Sequence, residues 1–306
     1  MRLRFTLMLG LRRCARGVVV ALNDAAECAA ARVEALGDAG QRALQRRSRW
    51  AGGLPVGLAQ LCGALIKGGA DLLAAVLAAP LRSVCGLLGH RAGLWRGLLH
   101  PCAALAGGAL VTAGQLVALV QRLVGAQAAD RPLTPAEYAL LRTVFGDALA
   151  PAGIRIVDGR AGLFGLSARP FALGNSIYLK RRGGRTDGAL LVHEAVHVWQ
   201  YRRWGPRYAA EALAAQAAHG RAAYDWMLEP VRGRIGWRRF NREAQAQCIE
   251  DLWRGRACFT PGAGAHRFVH RGADRTVFAH AALAALRSRG EGHRRSRSIR
   301  PVPAHR

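Results

Sequence analysis

Hydrophobic and polar positions divide the chain into stretches of different rhythm. From Met1 to about Trp50 the apolar runs are short. Arg12-Arg13-Cys14-Ala15-Arg16 separates the run Phe5–Leu11 from Val18-Val19-Val20-Ala21-Leu22. From about Ala51 to Gly125 the pattern becomes Ala, Gly and Leu with sparse charges. Gly97–Gln121 contains no Asp, Glu, Lys or Arg and is long enough to cross a bilayer. His100, Pro101, Thr112 and Gln115 lie inside it, and Ala and Gly insert weakly. Two readings follow: Ala-rich helices packed closely through small residues, or a membrane-embedded hairpin or single span.

After Asp130-Arg131-Pro132 the rhythm is that of a mixed globular unit. Thr134 is placed as an N-cap, Pro135 at the first helical position and Glu137 three residues on, a capping box with Leu133 and Tyr138 as its hydrophobic staple. This helix is expected to run towards Leu149 and stop near Pro151. Ile154-Arg155-Ile156-Val157 alternates as a short strand turned by Asp158-Gly159, and Ser176–Lys180 reads as a second strand after a Gly-punctuated loop. Asp187 caps a helix that carries Leu190, Leu191, Val192, His193, Val196, His197 and Trp199 and ends before Gly205-Pro206. Further helices are predicted over about Tyr208–Leu228 and Arg242–Trp253. Beyond Pro261 the chain turns Arg/His/Ser-rich and is expected to be disordered. The fold class is therefore α+β: a helix-rich domain over 129–260 with a short sheet. A basic leader (1–50) and an Ala/Gly-rich helical region (51–128) precede it, and a basic tail (261–306) follows.

Composition sharpens this division. The 306 residues hold 45 Lys+Arg against 19 Asp+Glu, a net charge of +26, and Lys67 and Lys180 are the only lysines. Such arginine usage beside heavy Ala and Gly fits a GC-rich coding bias as well as an anionic partner. The tail lacks interleaved aromatics and matches no DNA- or RNA-binding module, so a nucleic-acid partner is not expected. No small-residue cleavage site follows the first apolar runs, so export by a specialised secretion route, or membrane association, is expected ahead of a cleaved signal peptide. The seven cysteines include no CxxC pair, which removes a zinc ribbon or thioredoxin-like site, and their Ala/Leu/Gly surroundings read as packing.

The chemistry concentrates in His193-Glu194-Ala195-Val196-His197, an HExxH pattern expected by chance on the order of 0.01 times in such a chain. Residues i and i+4 share a helix face, so both imidazoles reach one Zn²⁺. Glu194 is offset by about 100° and sits beside the metal, where it can take a proton from water. The plain alternative is a buried His/Glu helix with no metal. A metzincin would continue with Gly and His where this chain has Gln200 and Arg203, which excludes that class. A carboxylate from a later helix is the other common third ligand. Glu243 is the choice, with Glu250, two turns along the same face, as fallback. Glu211 and His219 are weaker candidates. Glu243 also fits an ordinary first-turn carboxylate facing the helix dipole. Tyr201, Tyr208, Tyr224 and His219 are candidate oxyanion donors, and Asn175–Lys180 a candidate edge strand for an extended peptide substrate.

Val192–Tyr201 followed by Asn241–Ala246 resembles small bacterial zincin-like domains of gluzincin type. The likeness extends to proteins labelled Vgr-related or found near type VI secretion and Rhs-type toxin loci. Thr134–Glu137, Val144–Asp147 and Gly174–Leu179 are similar to the same group. The resemblance covers about Arg131–Trp253. It implies a zinc metallopeptidase in which His193, His197 and Glu243 hold Zn²⁺ and Glu194 is the base, acting on a peptide or protein substrate. A catalytically silent zincin-like scaffold, or a membrane-associated module of a secretion system, is the alternative.

Overall fold

The computed structural model describes residues 2–45, 54–89, 91–151, 153–159, 161–167, 169–179, 187–255 and 267–288. It is helix-rich with a small mixed sheet, an α+β architecture. Three long helices open the chain: α1 (Arg2–Gln45), α2 (Leu54–Gly89) and α3 (Arg91–Leu123). α2 packs between α1 and α3. Small residues permit the approach. A Cβ on Gly68 would stand 3.5 Å from the Cα of Gly108 on α3.

The α+β unit begins with β1 (Arg131–Pro132) and α4 (Pro135–Phe145). Both bonds of the expected capping box are present: Glu137 N–H donates to Thr134 Oγ1 at 3.2 Å, and Thr134 N–H to Glu137 Oε2 at 2.8 Å. α4 stops at Phe145, one turn short of expectation, because Gly146 takes φ +58°, a conformation that ends the helix. Next come β2 (Arg155–Asp158), β3 (Phe171–Leu173) and β4 (Ser176–Leu179). The sheet order is β1-β2-β4-β3, with β2 and β4 parallel and the outer pairs antiparallel. Lys180, at the expected end of the second strand, lies outside the described residues.

α5 (Gly188–Trp204), α6 (Arg207–His219) and α7 (Arg242–Arg254) follow. Leu191 to Tyr201 of α5 is buried without a break, so this stretch has no solvent-facing side and its polar residues His193, Glu194, His197 and Gln200 are enclosed with it. One side meets the sheet through Ile156 and Ile177, and another meets α7 through Ile249 and Leu252. The expected single helix over Tyr208–Leu228 is instead α6 followed by two 3₁₀ turns, Gly220–Ala223 and Trp226–Leu228. Gly220, at φ +53°, breaks the run.

Two further expectations need correction. Residues 267–288 are not disordered: they form the hairpin β5 (Val269–His270)/β6 (Ala273–Asp274) and α8 (Thr276–Arg287). Phe268, Ala279, Ala282, Leu283 and Leu286 complete the main core, and that apolar stripe outweighs the basic composition around it. Residues 256–266 and 289–306 lie outside the described residues. The cysteines are not uniformly packing residues either, since Cys248 is buried but Cys28, Cys62 and Cys102 are exposed.

The change of composition near residue 129 is not a gap in packing. The three N-terminal helices meet the α+β unit through buried polar groups. Gln60 Nε2 donates to Ser176 Oγ at 2.9 Å, and Arg122 pairs with Asp130 at 3.6 Å. Asn175 Nδ2 donates to the Glu34 carboxylate at 2.8 Å, while its Oδ1 accepts from Arg202.

Candidate metal centre

Two elements with well-formed starts bring the site together. Asp187 Oδ1 accepts from Ala189 N–H at 2.9 Å and opens α5, which presents His193 and His197 one turn apart. Asn241 Oδ1 accepts from Ala244 N–H at 3.0 Å and opens α7, with Glu243 in its first turn. Asn241 is itself held by Glu229, which is fully buried and accepts its backbone N–H at 2.8 Å. α7 runs against α5 with Ala244 and Ala246 fully buried in the core.

The result is a buried trio. Glu243 Oε2 lies 3.5 Å from Nε2 of His193 and 3.5 Å from Nε2 of His197. The three ligand atoms all fall within 4.8 Å of one another. Zn²⁺ bonds of about 2.0–2.1 Å at tetrahedral angles separate neighbouring ligand atoms by roughly 3.3 Å, so the spacing suits that ion. The other ring nitrogens are engaged from behind. His193 Nδ1 is 3.0 Å from Glu250 Oε2, and His197 Nδ1 is 2.8 Å from Gln200 Oε1. Both partners accept, so each Nδ1 donates, and the Nε2 atoms are the nitrogens that face Glu243 and would bind a metal once deprotonated.

These supports are themselves anchored. Gln200 Nε2 donates to Arg242 O and to Gln245 Oε1, both at 3.0 Å. Glu250 Oε1 accepts from Arg254 at 2.8 Å. Glu250 is therefore not an alternative third ligand. It stands at Nδ1 of His193, on the far side of the ring, while Glu243 faces both Nε2 atoms. Gln216 Nε2 donates to Glu243 Oε1 at 2.8 Å, leaving Oε2 for the two histidines.

The electrostatics follow from burial and these contacts. Burial opposes charge on His193, but hydrogen bonds to Glu243 and Glu250 outweigh it and hold its pKa up at about 10. His197 is also raised, because the Glu243 charge overcomes the effect of burial. Burial pushes the Glu243 carboxyl up, yet the two histidines pull it well below the usual carboxylate range. Glu194 goes the other way: burial raises its pKa and the histidines offset that only in part. Its Oε2 is buried with no hydrogen-bond partner among the described residues.

No family model, curated protein or solved structure matches this chain. The reading of the site therefore rests on its geometry and on the motif.

The four expected oxyanion donors are placed differently. Tyr224 stacks on His193, with ring centroids 6.1 Å apart, and the Arg169 guanidinium lies 5.2 Å from the centroid of its ring. Burial raises the Tyr224 pKa and Glu243 adds to the rise, so its hydroxyl keeps its proton at neutral pH. Tyr208 stands 6.1 Å from the His197 ring, but its hydroxyl donates to Ala172 O at 3.0 Å. Tyr201 is turned away, under Lys67 of α2 at 4.2 Å. His219 is the last residue of α6, and the described contacts of the trio do not include it. Glu211 pairs with Arg242 instead of approaching the trio.

The expected substrate-pairing strand is also corrected. β4 is interior and paired on both sides, and the edge strands are β1 and β3. The Ala172 and Leu173 carbonyls of β3 already accept from Tyr208 and Gln115. Sequence reasoning passed over Gln200 and Gln216 as working parts of the site. The available signal for Gln200 was its i+3 position after His197, on the same helix face.

Proposed function

We propose that the protein is a zinc-dependent peptidase whose α+β unit is a zincin-like domain of gluzincin type. One observation carries the reading: two Nε2 atoms and one carboxylate oxygen converge at 3.5 Å, with Glu194 electrostatically coupled to all three and its Oε2 buried without a hydrogen-bond partner among the described residues. Two histidines and a glutamate are the donor set of known catalytic zinc sites. His193, His197 and Glu243 would hold the ion. When bound, Zn²⁺ supplies Lewis acidity towards a peptide carbonyl and acidifies water.

The remaining work falls to the chain. Glu194 Oε2 accepts a proton from the attacking water and returns it to the leaving amine, and its raised pKa suits both transfers. Tyr224, with its hydroxyl protonated, donates to the oxygen that gains negative charge. Glu250 and Gln200 keep the imidazoles in one tautomer and orientation. The likeness of Val192–Tyr201 and Asn241–Ala246 to secretion-associated zincin-like proteins supports a role as a secretion-linked effector or processing enzyme.

The experiment compares Glu194→Gln with His193→Ala in the full-length protein. Zinc stoichiometry near one, retained in Glu194→Gln together with peptide cleavage lowered about 10²–10⁴-fold, supports the reading. Zinc loss in His193→Ala completes it. Zinc binding with no cleavage by the unaltered protein would leave a scaffold. No zinc binding at all would remove the metal centre.

A further inference from the structure

α2 and α3 are built inside out. Between Leu54 and Pro80 every exposed residue is Leu, Val, Cys, Gly or Pro, and between His100 and Leu123 every one is Leu, Val, Ala or Cys. Leu65 and Leu73 on α2 are 55% and 49% exposed, and Leu105 and Leu116 on α3 are 59% and 51% exposed. The polar residues Gln60, Lys67, Asp71, Gln115, Gln121 and Arg122 are all buried. Gln60 and Lys67 each follow an exposed leucine, Leu58 and Leu65, by two residues, an offset of about 200° that puts them on the opposite face. That inner face meets the α+β unit, where Gln60 reaches Ser176, Asp71 accepts the Arg207 backbone N–H at 3.2 Å, and Gln115 reaches Leu173 O. The outer face of two stretches, Leu54–Pro80 of α2 and His100–Leu123 of α3, 27 and 24 residues long, is left apolar. At 1.5 Å per residue each is about 35–40 Å long, and two strips about 10 Å wide make a patch of roughly 700–800 Å², above the largest patch that soluble monomers usually expose.

We infer that this outer face is seated in the surface of an anionic lipid bilayer, with both helices lying in the membrane plane. The plane follows from what touches α3 in its middle. A Cβ on Gly107 would stand 2.4 Å from the Arg207 Cα, and one on Gly114 would stand 2.8 Å from Leu173 Cδ1. The α+β unit thus covers the midpoint of the helix. Were α3 to cross the bilayer, the ion pair of Arg207 with Asp71, beside the middle of the helix, would sit at hydrocarbon depth. Lying flat, the layer puts apolar side chains below the headgroups and keeps the polar unit in water. Charge selects the occupant. A second copy of a +26 chain repels the first, whereas anionic headgroups attract it. This inference does not depend on the proposed activity.

The test uses the full-length protein and two kinds of vesicle, phosphatidylcholine alone and phosphatidylcholine with phosphatidylglycerol. Flotation with the mixed vesicles is expected, stronger than with phosphatidylcholine and persisting in part at high salt. Leu65→Gln, Leu73→Gln, Leu105→Gln and Leu116→Gln together should lower partitioning by about 100-fold or more. Nitroxide labels on Leu58→Cys, Leu65→Cys and Val76→Cys, each in a chain lacking the other exposed cysteines, then read depth. The in-plane arrangement puts all three at one depth, about 5–10 Å below the headgroups. Positions 58 and 76 are about 27 Å apart along the helix, so a spanning helix would put 65 deepest and the ends shallow. That profile, the absence of flotation, or a stable dimer dispersed by the same four substitutions would overturn the proposal.

Discussion

Glu250 Oε2 stands 3.0 Å from His193 Nδ1, on the side of the ring away from Glu243. Two carboxylates of α7 therefore divide one imidazole between them: Glu243 faces Nε2, the side of the proposed metal, and Glu250 holds Nδ1. Arg254 holds Glu250 in turn, so the fixing group is neither free to swing inward nor left unpaired.

This division predicts unequal effects. Glu250→Ala should weaken zinc binding about 10–100-fold, the range for a lost partner behind a ligand. Glu243→Ala removes a ligand and should weaken it further, while both variants remain folded at neutral pH. Titration against a chromophoric chelator measures the two affinities. Equal losses would mean that the roles of the two carboxylates are not distinct.

Tyr224 is the one candidate donor stacked on a site histidine without its hydroxyl committed to the backbone. Tyr224→Phe should keep zinc content and KM near those of the unaltered protein and lower kcat about 10²–10³-fold. Tyr208→Phe, which loses only the bond to Ala172 O, should change kcat by less than tenfold. Steady-state kinetics on one peptide substrate compares them.

Glu229 ties the turn before α7 to its N-cap. It accepts from Arg232 and Arg234 at 2.9 Å and from Asn241. Burial alone would raise its pKa, but the bonds from Arg234, Asn241 N–H and Arg232 outweigh that and leave it below its ordinary 4.5. A carboxyl with a depressed folded-state pKa adds stability that is fully present above its unfolded pKa and is lost as pH falls through the folded value. Glu229→Ala should cost about 1–3 kcal/mol at pH 7, because it removes the charged acceptor of Asn241 and of two arginines that are only partly buried. The gap between the variant and the unaltered protein should narrow as pH drops below about 4.5. Urea unfolding at pH 7 and at lower pH checks both statements.

Gly107 marks where α3 and the start of α6 touch. A Cβ there would stand 2.4 Å from the Arg207 Cα and 2.5 Å from the Pro206 carbonyl oxygen, both backbone atoms that cannot turn aside. Gly107→Ala should destabilise the protein by about 1–3 kcal/mol. Gly69→Ala, with nothing within 4 Å of the added carbon, should be neutral or slightly stabilising. Thermal unfolding of the two variants separates the contact from the general effect of replacing a helical glycine.

What the sequence determined by itself is local. The Thr134–Glu137 capping box, the Asp187 and Asn241 caps and the one-turn spacing of His193 and His197 all depend on residues within a few positions of one another. Helix geometry makes those relationships almost independent of context. The choice of Glu243 over Glu250 was not local. Both lie on one face of α7, and only the packing of that helix against α5 sets which carboxylate meets Nε2 and which meets Nδ1. Strand β3, two residues from β4, gave no periodic signal because three residues are too few to show one. α8 was hidden by the basic residues around it, and its value lies in filling a core that other elements enclose. The helices of 51–128 were legible as apolar and helical, but not as a layer with its polar side turned inward, and α1, read only as a basic leader, was not legible as a helix. Gln60, Asp71 and Gln115 read as interruptions in a greasy segment until Ser176, Arg207 and Leu173, each at least 58 positions away, supply their partners. A buried polar group is stable only when its partner is present, and tertiary structure alone brings such distant partners together.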